Sequence, residues 1–141
     1  MSIFVYFVFW ITRSMGNQSS LMVSVITSGK LVVGCVAMGR HDADRKGDVQ
    51  AIIVDLASGD SQVVELHDRL GADDHNAPAF EILPGQRLLA VYATHGRASG
   101  FWHRISAAND PTKWGTIGKY VPTEDSSITY SNIFRLAGED E

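Results

Sequence analysis

The chain has 141 residues, of which 45% are hydrophobic and 20% are charged. This composition is typical of one globular domain and is too apolar for a disordered chain. Twelve Lys and Arg residues against sixteen Asp and Glu residues give a net charge of -4, so no basic field is present to attract nucleic acid or an anionic membrane. The single cysteine, Cys35, excludes an internal disulfide and a clustered-cysteine zinc site.

The amino-terminal segment is strongly apolar but short. Ile3–Ile11 holds nine consecutive apolar residues, about half of the ~20 that a membrane-spanning helix needs. A secretory signal would carry its positive charge before such a run, whereas Arg13 follows it. Three interpretations of residues 1–20 stay open: a truncated or misassigned apolar leader, a functional signal, and an edge strand followed by a loop.

Short apolar runs separated by turn residues follow from Leu21 onward. No stretch of twelve or more residues has the 3.6-residue apolar period of a helix. Gly, Ser, Asp and Pro stand between the runs, where hairpins need residues that tolerate positive φ. The pattern predicts an all-β, antiparallel fold whose first four strands lie in 21–26, 30–38, 49–56 and 62–66.

The first of these runs recurs 56 residues later. Leu21–Ile26 followed by Gly29 corresponds to Ala77–Ile82 followed by Gly85. Two further strands complete each unit, in 49–56 and 62–66 for the first and in 101–106 and 116–121 for the second. Four strands per unit is the composition of a β-propeller blade, whose usual period is ~40 to 50 residues.

We therefore expect residues 21–141 to form a partial β-propeller. One blade occupies 21–70, a second occupies 71–123, and 124–141 begin a third, whose first strand is predicted at 128–136. Two blades and one strand do not close a ring, which needs at least ~4 blades. The sequence thus predicts a fragment of a longer protein or self-association of copies through uncovered blade faces.

The segment Gly71–Ala79 holds the most unusual polar pattern, since it places Asp73, Asp74 and His75 between the last strand of one unit and the first strand of the next. His95 follows the strand predicted at 88–93, so both histidines are expected at the same end of the second sheet. A neutral imidazole exchanges protons near pH 7, and a neighbouring carboxylate can hold its tautomer. Alternatively, His75 caps a turn and His95 is an exposed strand-end residue.

These segments resemble the BNR repeat-containing family, whose members are seven-bladed β-propellers. The resemblance covers roughly Val49–Leu136 and rests on Leu70–Ala79, Arg87–Gly96 and Thr129–Asn132. Ser131 stands where the family usually has proline. Related propellers include polysaccharide lyases that cleave uronic-acid glycans, so the resemblance implies a secreted or periplasmic protein with a polysaccharide or oligosaccharide as its partner.

The resemblance also implies a catalytic set of His75, His95 and Tyr130 around the uronate, with the sugar acid between the two imidazoles. β-Elimination requires a base for the proton α to the carboxylate, an acid for the leaving oxygen, and a group that neutralises the carboxylate. An arginine suits the last task because it pairs bidentately with a carboxylate. The family's arginine would lie beyond Glu141, so this chain alone is expected to be inactive.

Four further residues are candidates for substrate binding: Asn76, Arg97, Trp102 and Arg104. Arg104 alternates with apolar residues and is equally consistent with a solvent-facing position, and Arg135 is another candidate for the missing arginine. Trp102 could stack on a sugar ring, although aromatic residues at strand spacing are more often part of the core.

No cofactor and no metal site are expected. The sequence has no Gly-rich phosphate loop and no His-Glu-x-x-His pattern, and His41 with Asp44 offers too few ligands for a closed metal site. The segment Asn109–Gly115 resembles the Asp-box turn of sialidases, which is a structural feature. Two other functions stay open: a non-catalytic glycan-binding propeller and a sialidase-like glycoside hydrolase, which would need an arginine cluster and a paired acid.

Overall fold

The computed structural model describes residues 7–11, 20–37, 47–97, 100–122, 127–128 and 130–133. Strands dominate these residues, and the helical elements among them are two short 3₁₀ turns, Asp74–Asn76 and Pro84–Gln86. The predicted all-β fold is confirmed. Within this described part, no helix has the length and apolar character needed to cross a membrane.

The first sheet is an antiparallel meander in which each strand pairs with the next. Its strands are β1 (Phe7–Ile11), β2 (Ser20–Thr27), β3 (Lys30–Val36), β4 (Val49–Asp55) and β5 (Ser61–His67). Strands β2 to β5 are the four predicted for the first unit. The additional strand β1 pairs with β2 from Phe7 opposite Ser24 to Ile11 opposite Ser20, so the apolar run contributes an edge strand.

The second sheet contains β6 (Ala79–Leu83), β7 (Arg87–Ala93), β9 (Phe101–Ala107), β10 (Asp110–Trp114) and β11 (Gly118–Tyr120). β10 pairs with the end of β9, whereas β11 pairs with its beginning, from Gly118 opposite His103 to Tyr120 opposite Phe101. The outer strand predicted at 116–121 is therefore found in part. β10 was not predicted, because its polar residues resemble a turn.

A third, two-stranded sheet joins β8 (Gly96–Arg97) to β12 (Ser127–Ile128). β12 shares only Ile128 with the strand predicted at 128–136 for a third blade, and the described residues 130–133 are not in a strand. Residues 134–136 lie outside the described residues. The small sheet matters for the site because β8 directly follows His95 and β12 directly precedes 129–131.

The 56-residue repeat has a structural basis. The hairpin β2–β3 in the first sheet corresponds to the hairpin β6–β7 in the second. Their turns place Gly29 and Gly85 at φ of 72° and 74°, a conformation that glycine adopts without steric cost. The second turn is one residue longer, since Thr27 pairs with Lys30 whereas Leu83 pairs with Arg87.

The core lies between one face of each sheet. Alternate residues of each strand point to the same face, as expected for a pleated strand, and the buried set comprises Val25, Val32, Val49, Ala51, Ile53, Leu66, Phe80, Ile82, Leu88, Ala90 and Tyr92. Gly34 allows close approach of the sheets, because a Cβ there would lie 2.6 Å from Cγ of Pro78. Ile26 and Val63 remain exposed, and self-association through such faces stays a prediction.

Candidate functional site

His75 is positioned by the 3₁₀ turn that leads from the first sheet into β6. Asp73 caps this turn, and its Oδ1 accepts a hydrogen bond from the backbone N–H of His75 at 3.0 Å. Aspartate is favoured at such a position because its side chain satisfies an N–H that the turn itself leaves unpaired. The backbone around His75 is thus fixed by the same carboxylate that contacts its ring.

His95 lies just beyond β7, at the end of the sheet where the turn containing His75 also lies. The two imidazole rings are stacked, with 4.4 Å between their centroids and an interplanar angle of 21°. The expected proximity of His75 and His95 is confirmed. The arrangement differs from the expected one, because rings in stacked contact leave no space for a sugar between them, and a substrate must approach their edges.

Tyr130 joins the same cluster. Its ring centroid lies 4.3 Å from that of His75 with a tilt of 31°, and the residue is 42% exposed. The pairing of β8 with β12 explains this position, because it anchors the chain near 130 beside the strand that follows His95. Tyr130 has φ of 43°, which Ser131 permits, whereas a proline at 131 would favour an extended residue before it.

One carboxylate connects the two histidines. Oδ1 of Asp73 lies 2.5 Å from Nδ1 of His75, and Oδ2 lies 3.5 Å from Nδ1 of His95. Oδ1 of Asp74 lies 3.2 Å from Nδ1 of His75. We refer to His75, His95, Tyr130 and Asp73 as the ring cluster.

Asp73 is held in its charged form. Partial burial raises its pKa, but hydrogen bonds from the backbone N–H and the imidazole of His75 outweigh this effect, so the pKa of Asp73 lies below its ordinary value. An ionised carboxylate only accepts hydrogen bonds. Nδ1 of His75 therefore carries the proton in this contact, and in the neutral ring Nε2 keeps a free lone pair.

Arg104 donates hydrogen bonds to backbone carbonyls of the protein itself. Its Nε donates to the carbonyl of Gly115 at 2.8 Å, Nη2 donates to that of Trp114, and Nη1 donates to those of Glu65 and Leu66 at 3.2 Å. These bonds tie β9 to the first sheet and to the end of β10. Four of the five guanidinium N–H groups are thus used by backbone carbonyls, which favours a structural role, and the candidate role of Arg104 in substrate binding stays a prediction.

Asn76 and Trp102 are likewise part of the protein's framework. Asn76 is 1% exposed, and its Nδ2 donates to the carbonyl of Gly71 at 2.9 Å, so it anchors the turn rather than offering a surface contact to a sugar. Trp102 packs edge-on against His67, and Nζ of Lys119 lies 4.7 Å from the centre of its ring. This environment supports the core interpretation of Trp102.

The side chains of the two other candidate arginines, Arg97 and Arg135, lie outside the described residues. Arg97 contributes backbone to β8, but its side chain lies outside the described residues. The whole of Arg135 lies outside them as well. The identity of the group that neutralises a substrate carboxylate stays a prediction.

Sequence reasoning did not single out His67, which ends β5. Its ring makes edge contacts with Tyr92 and Trp102 at centroid distances of 5.6 and 5.7 Å. Burial lowers its pKa, and among the described residues its buried Nδ1 has no hydrogen-bond partner. No motif surrounds His67 in the sequence, because its neighbours come from β7 and β9, far along the chain.

Comparison of the chain with family models, with curated proteins and with solved structures gives no match. The fold and the site together define an all-β protein of two packed antiparallel sheets with a His–His–Tyr cluster at one end of the second sheet. These comparisons give no support for membership of the BNR repeat-containing family, which stays a prediction.

Proposed function

We propose that the ring cluster performs the proton transfers of a polysaccharide lyase that cleaves uronic-acid glycans by β-elimination. This proposal rests on one observation. The ring of His75 contacts those of His95 and Tyr130, and the ionised carboxylate of Asp73 lies against Nδ1 of both imidazoles. These are the acid and base groups that the reaction needs near neutral pH.

In this proposal the uronate lies along the ring edges that face away from Asp73. Nε2 of His75 removes the proton α to the substrate carboxylate, and the electron pair released forms the new carbon–carbon double bond. The bond from the β-carbon to the glycosidic oxygen breaks, and the hydroxyl of Tyr130 donates a proton to that oxygen. Return of the proton from His75 to Tyr130 through solvent restores both groups.

Asp73 has a positioning role in the proposed mechanism. Asp73 accepts a hydrogen bond from Nδ1 of His75 and so keeps Nε2 free as a base. It also stabilises the imidazolium that forms, as a carboxylate does for the histidine of a catalytic triad. The environment of Trp102 weighs against a glycan-binding platform, because the ring is occupied by His67 and Lys119.

Asp73→Asn provides a sharp test of this role. Asparagine caps a turn as well as aspartate does, so we expect the fold to persist while kcat on a uronate polymer falls at least about tenfold with little change in KM. The assay requires the chain in a protein that also supplies the carboxylate-binding arginine. Asp68→Asn is a matched control, since that side chain is 70% exposed and its Oδ1 lies 3.7 Å from Nε of the neighbouring Arg69. Full kcat in Asp73→Asn would remove Asp73 from the mechanism.

A further inference from the structure

We infer that Asp73, His75 and His95 form a binding site for a divalent transition-metal ion, with Zn²⁺ the ion that fits best. The sequence carries no metal-binding motif at this place, because the ligands come from two segments twenty residues apart. The structure brings one ligand atom from each residue to within 4.8 Å of the other two. The inference goes beyond the proposed function and does not depend on lyase activity.

The distances suit a tetrahedral ion. Bonds of ~2.1 Å at tetrahedral angles place ligand atoms about 3.4 Å apart. Oδ2 of Asp73 already lies 3.5 Å from Nδ1 of His95, whereas the 2.5 Å contact between Oδ1 and Nδ1 of His75 must lengthen. The two rings also lie in nearly parallel planes, so their Nδ1 lone pairs point to one ion only after the ring of His95 rotates. The side chain of His95 is 48% exposed, which gives it room for this rotation and leaves the site open to an ion from solvent.

The ligand types select the metal. Two imidazole nitrogens with one carboxylate oxygen suit Zn²⁺ and its transition-metal neighbours, whereas Ca²⁺ and Mg²⁺ prefer sites made entirely of oxygen. Three protein ligands leave a fourth position for water or for an oxygen of a bound molecule.

Neighbouring groups already orient the ligands. The backbone N–H of His75 donates to Oδ1 of Asp73 at 3.0 Å, and the ring of Tyr130 packs against that of His75. Such contacts around the ligands restrict their rotation, and removal of comparable contacts typically weakens metal binding about 10- to 100-fold.

Metal binding would oppose the proposed acid–base chemistry. An ion on Nδ1 of His75 replaces the proton that this nitrogen otherwise donates in a hydrogen bond to Asp73, and it takes that carboxylate as a ligand. Zn²⁺ is therefore expected to inhibit any lyase activity of the ring cluster, while removal of metal with a chelator is expected to leave that activity intact.

The test is calorimetric titration of the metal-stripped 141-residue chain, free of any histidine tag, with Zn²⁺ and separately with Ca²⁺. We expect one Zn²⁺ site per chain and at least about tenfold weaker binding of Ca²⁺. His75→Ala, His95→Ala and Asp73→Asn should each weaken Zn²⁺ binding at least about tenfold. Glu65→Gln is the matched control. Glu65 belongs to a second, separate cluster of possible ligand atoms, formed with Asp48 and Asp68, so its substitution should not change Zn²⁺ binding at the first site.

Two results of the calorimetric titration would overturn the inference. One is no Zn²⁺ binding by the native chain, and the other is Zn²⁺ binding that is unchanged in both His75→Ala and His95→Ala. If a variant fails to fold, imidazole nitrogen resonances of the native chain answer the same question. Those of His75 and His95 should shift with Zn²⁺ while those of His103 should not, and unshifted His75 and His95 would overturn the site. Lyase assays in chelator test the proposed function separately, so that either proposal can fail without the other.

Discussion

Replacement of His75 by alanine is expected to lower turnover on a uronate polymer by about 10²-fold or more, the usual contribution of a positioned acid or base. Replacement of His95 is expected to lower turnover by a smaller factor, because His95 positions His75 and transfers no proton itself. His75→Ala removes the proposed base. His95→Ala removes the ring that stacks on His75 and shares Asp73 with it. Turnover is followed by the ultraviolet absorbance of the unsaturated product, in a protein that contains this chain and the expected carboxylate-binding arginine.

The matched control is His103→Ala, because His103 lies in β9 opposite Gly118 and is not part of the ring cluster. It should change turnover less than about twofold, within the range of substitutions away from a reacting centre. Circular dichroism should be the same for all three variants. Unchanged product formation in both His75→Ala and His95→Ala would reject the lyase role.

Tyr92→Ala is expected to lower the free energy of unfolding by about 3–5 kcal/mol. Tyr92 is fully buried between the two sheets, and its hydroxyl donates to the carbonyl of Leu66 at 3.1 Å. Burial raises the pKa of Tyr92 to about 12, so the donor is retained at neutral pH. The loss is large against the 5–15 kcal/mol that typically stabilises a domain, and denaturation in urea measures it.

Tyr92→Phe separates the hydroxyl from the ring. The carbonyl of Leu66 also accepts a hydrogen bond from Nη1 of Arg104 at 3.2 Å, so it keeps a partner when the hydroxyl is removed. We expect this variant to lose only about 1 kcal/mol. Equal stability of Tyr92→Ala and the native chain would show that packing between the sheets does not hold the molecule together.

The sequence predicts those strands of the sheets that are apolar and that are bounded by residues typical of turns. β2 to β5 follow directly from apolar runs separated by turn residues, and the two equivalent hairpins follow from the recurrence of Gly29 at Gly85. β10 escaped prediction because Asp110, Pro111 and Lys113 resemble a loop. Its pairing depends on the outer edge of β9, which a local pattern does not reveal.

The sequence predicts where the site lies but not how its rings are arranged. The placement of His75 before one strand and His95 after the next indicated that both lie at one end of the sheet. The stacking of the rings depends on the shared carboxylate of Asp73 and on the contact with Tyr130, which β12 brings from far along the chain. Arg104 was open to two interpretations until its carbonyl partners on β5 and β10 were known.

The measurement that tests the central claim most directly is an NMR titration, in chelator, of a protein that contains this chain and the expected carboxylate-binding arginine. The ligand is a glucuronate-containing oligosaccharide. The side-chain nitrogen resonances of the histidines are followed, and the same oligosaccharide with its carboxyl groups reduced to alcohols serves as the control ligand. The account predicts that the resonances of His75 and His95 move together with the acidic ligand and much less with the reduced one. Binding of the acidic oligosaccharide that leaves both imidazoles unperturbed would contradict it.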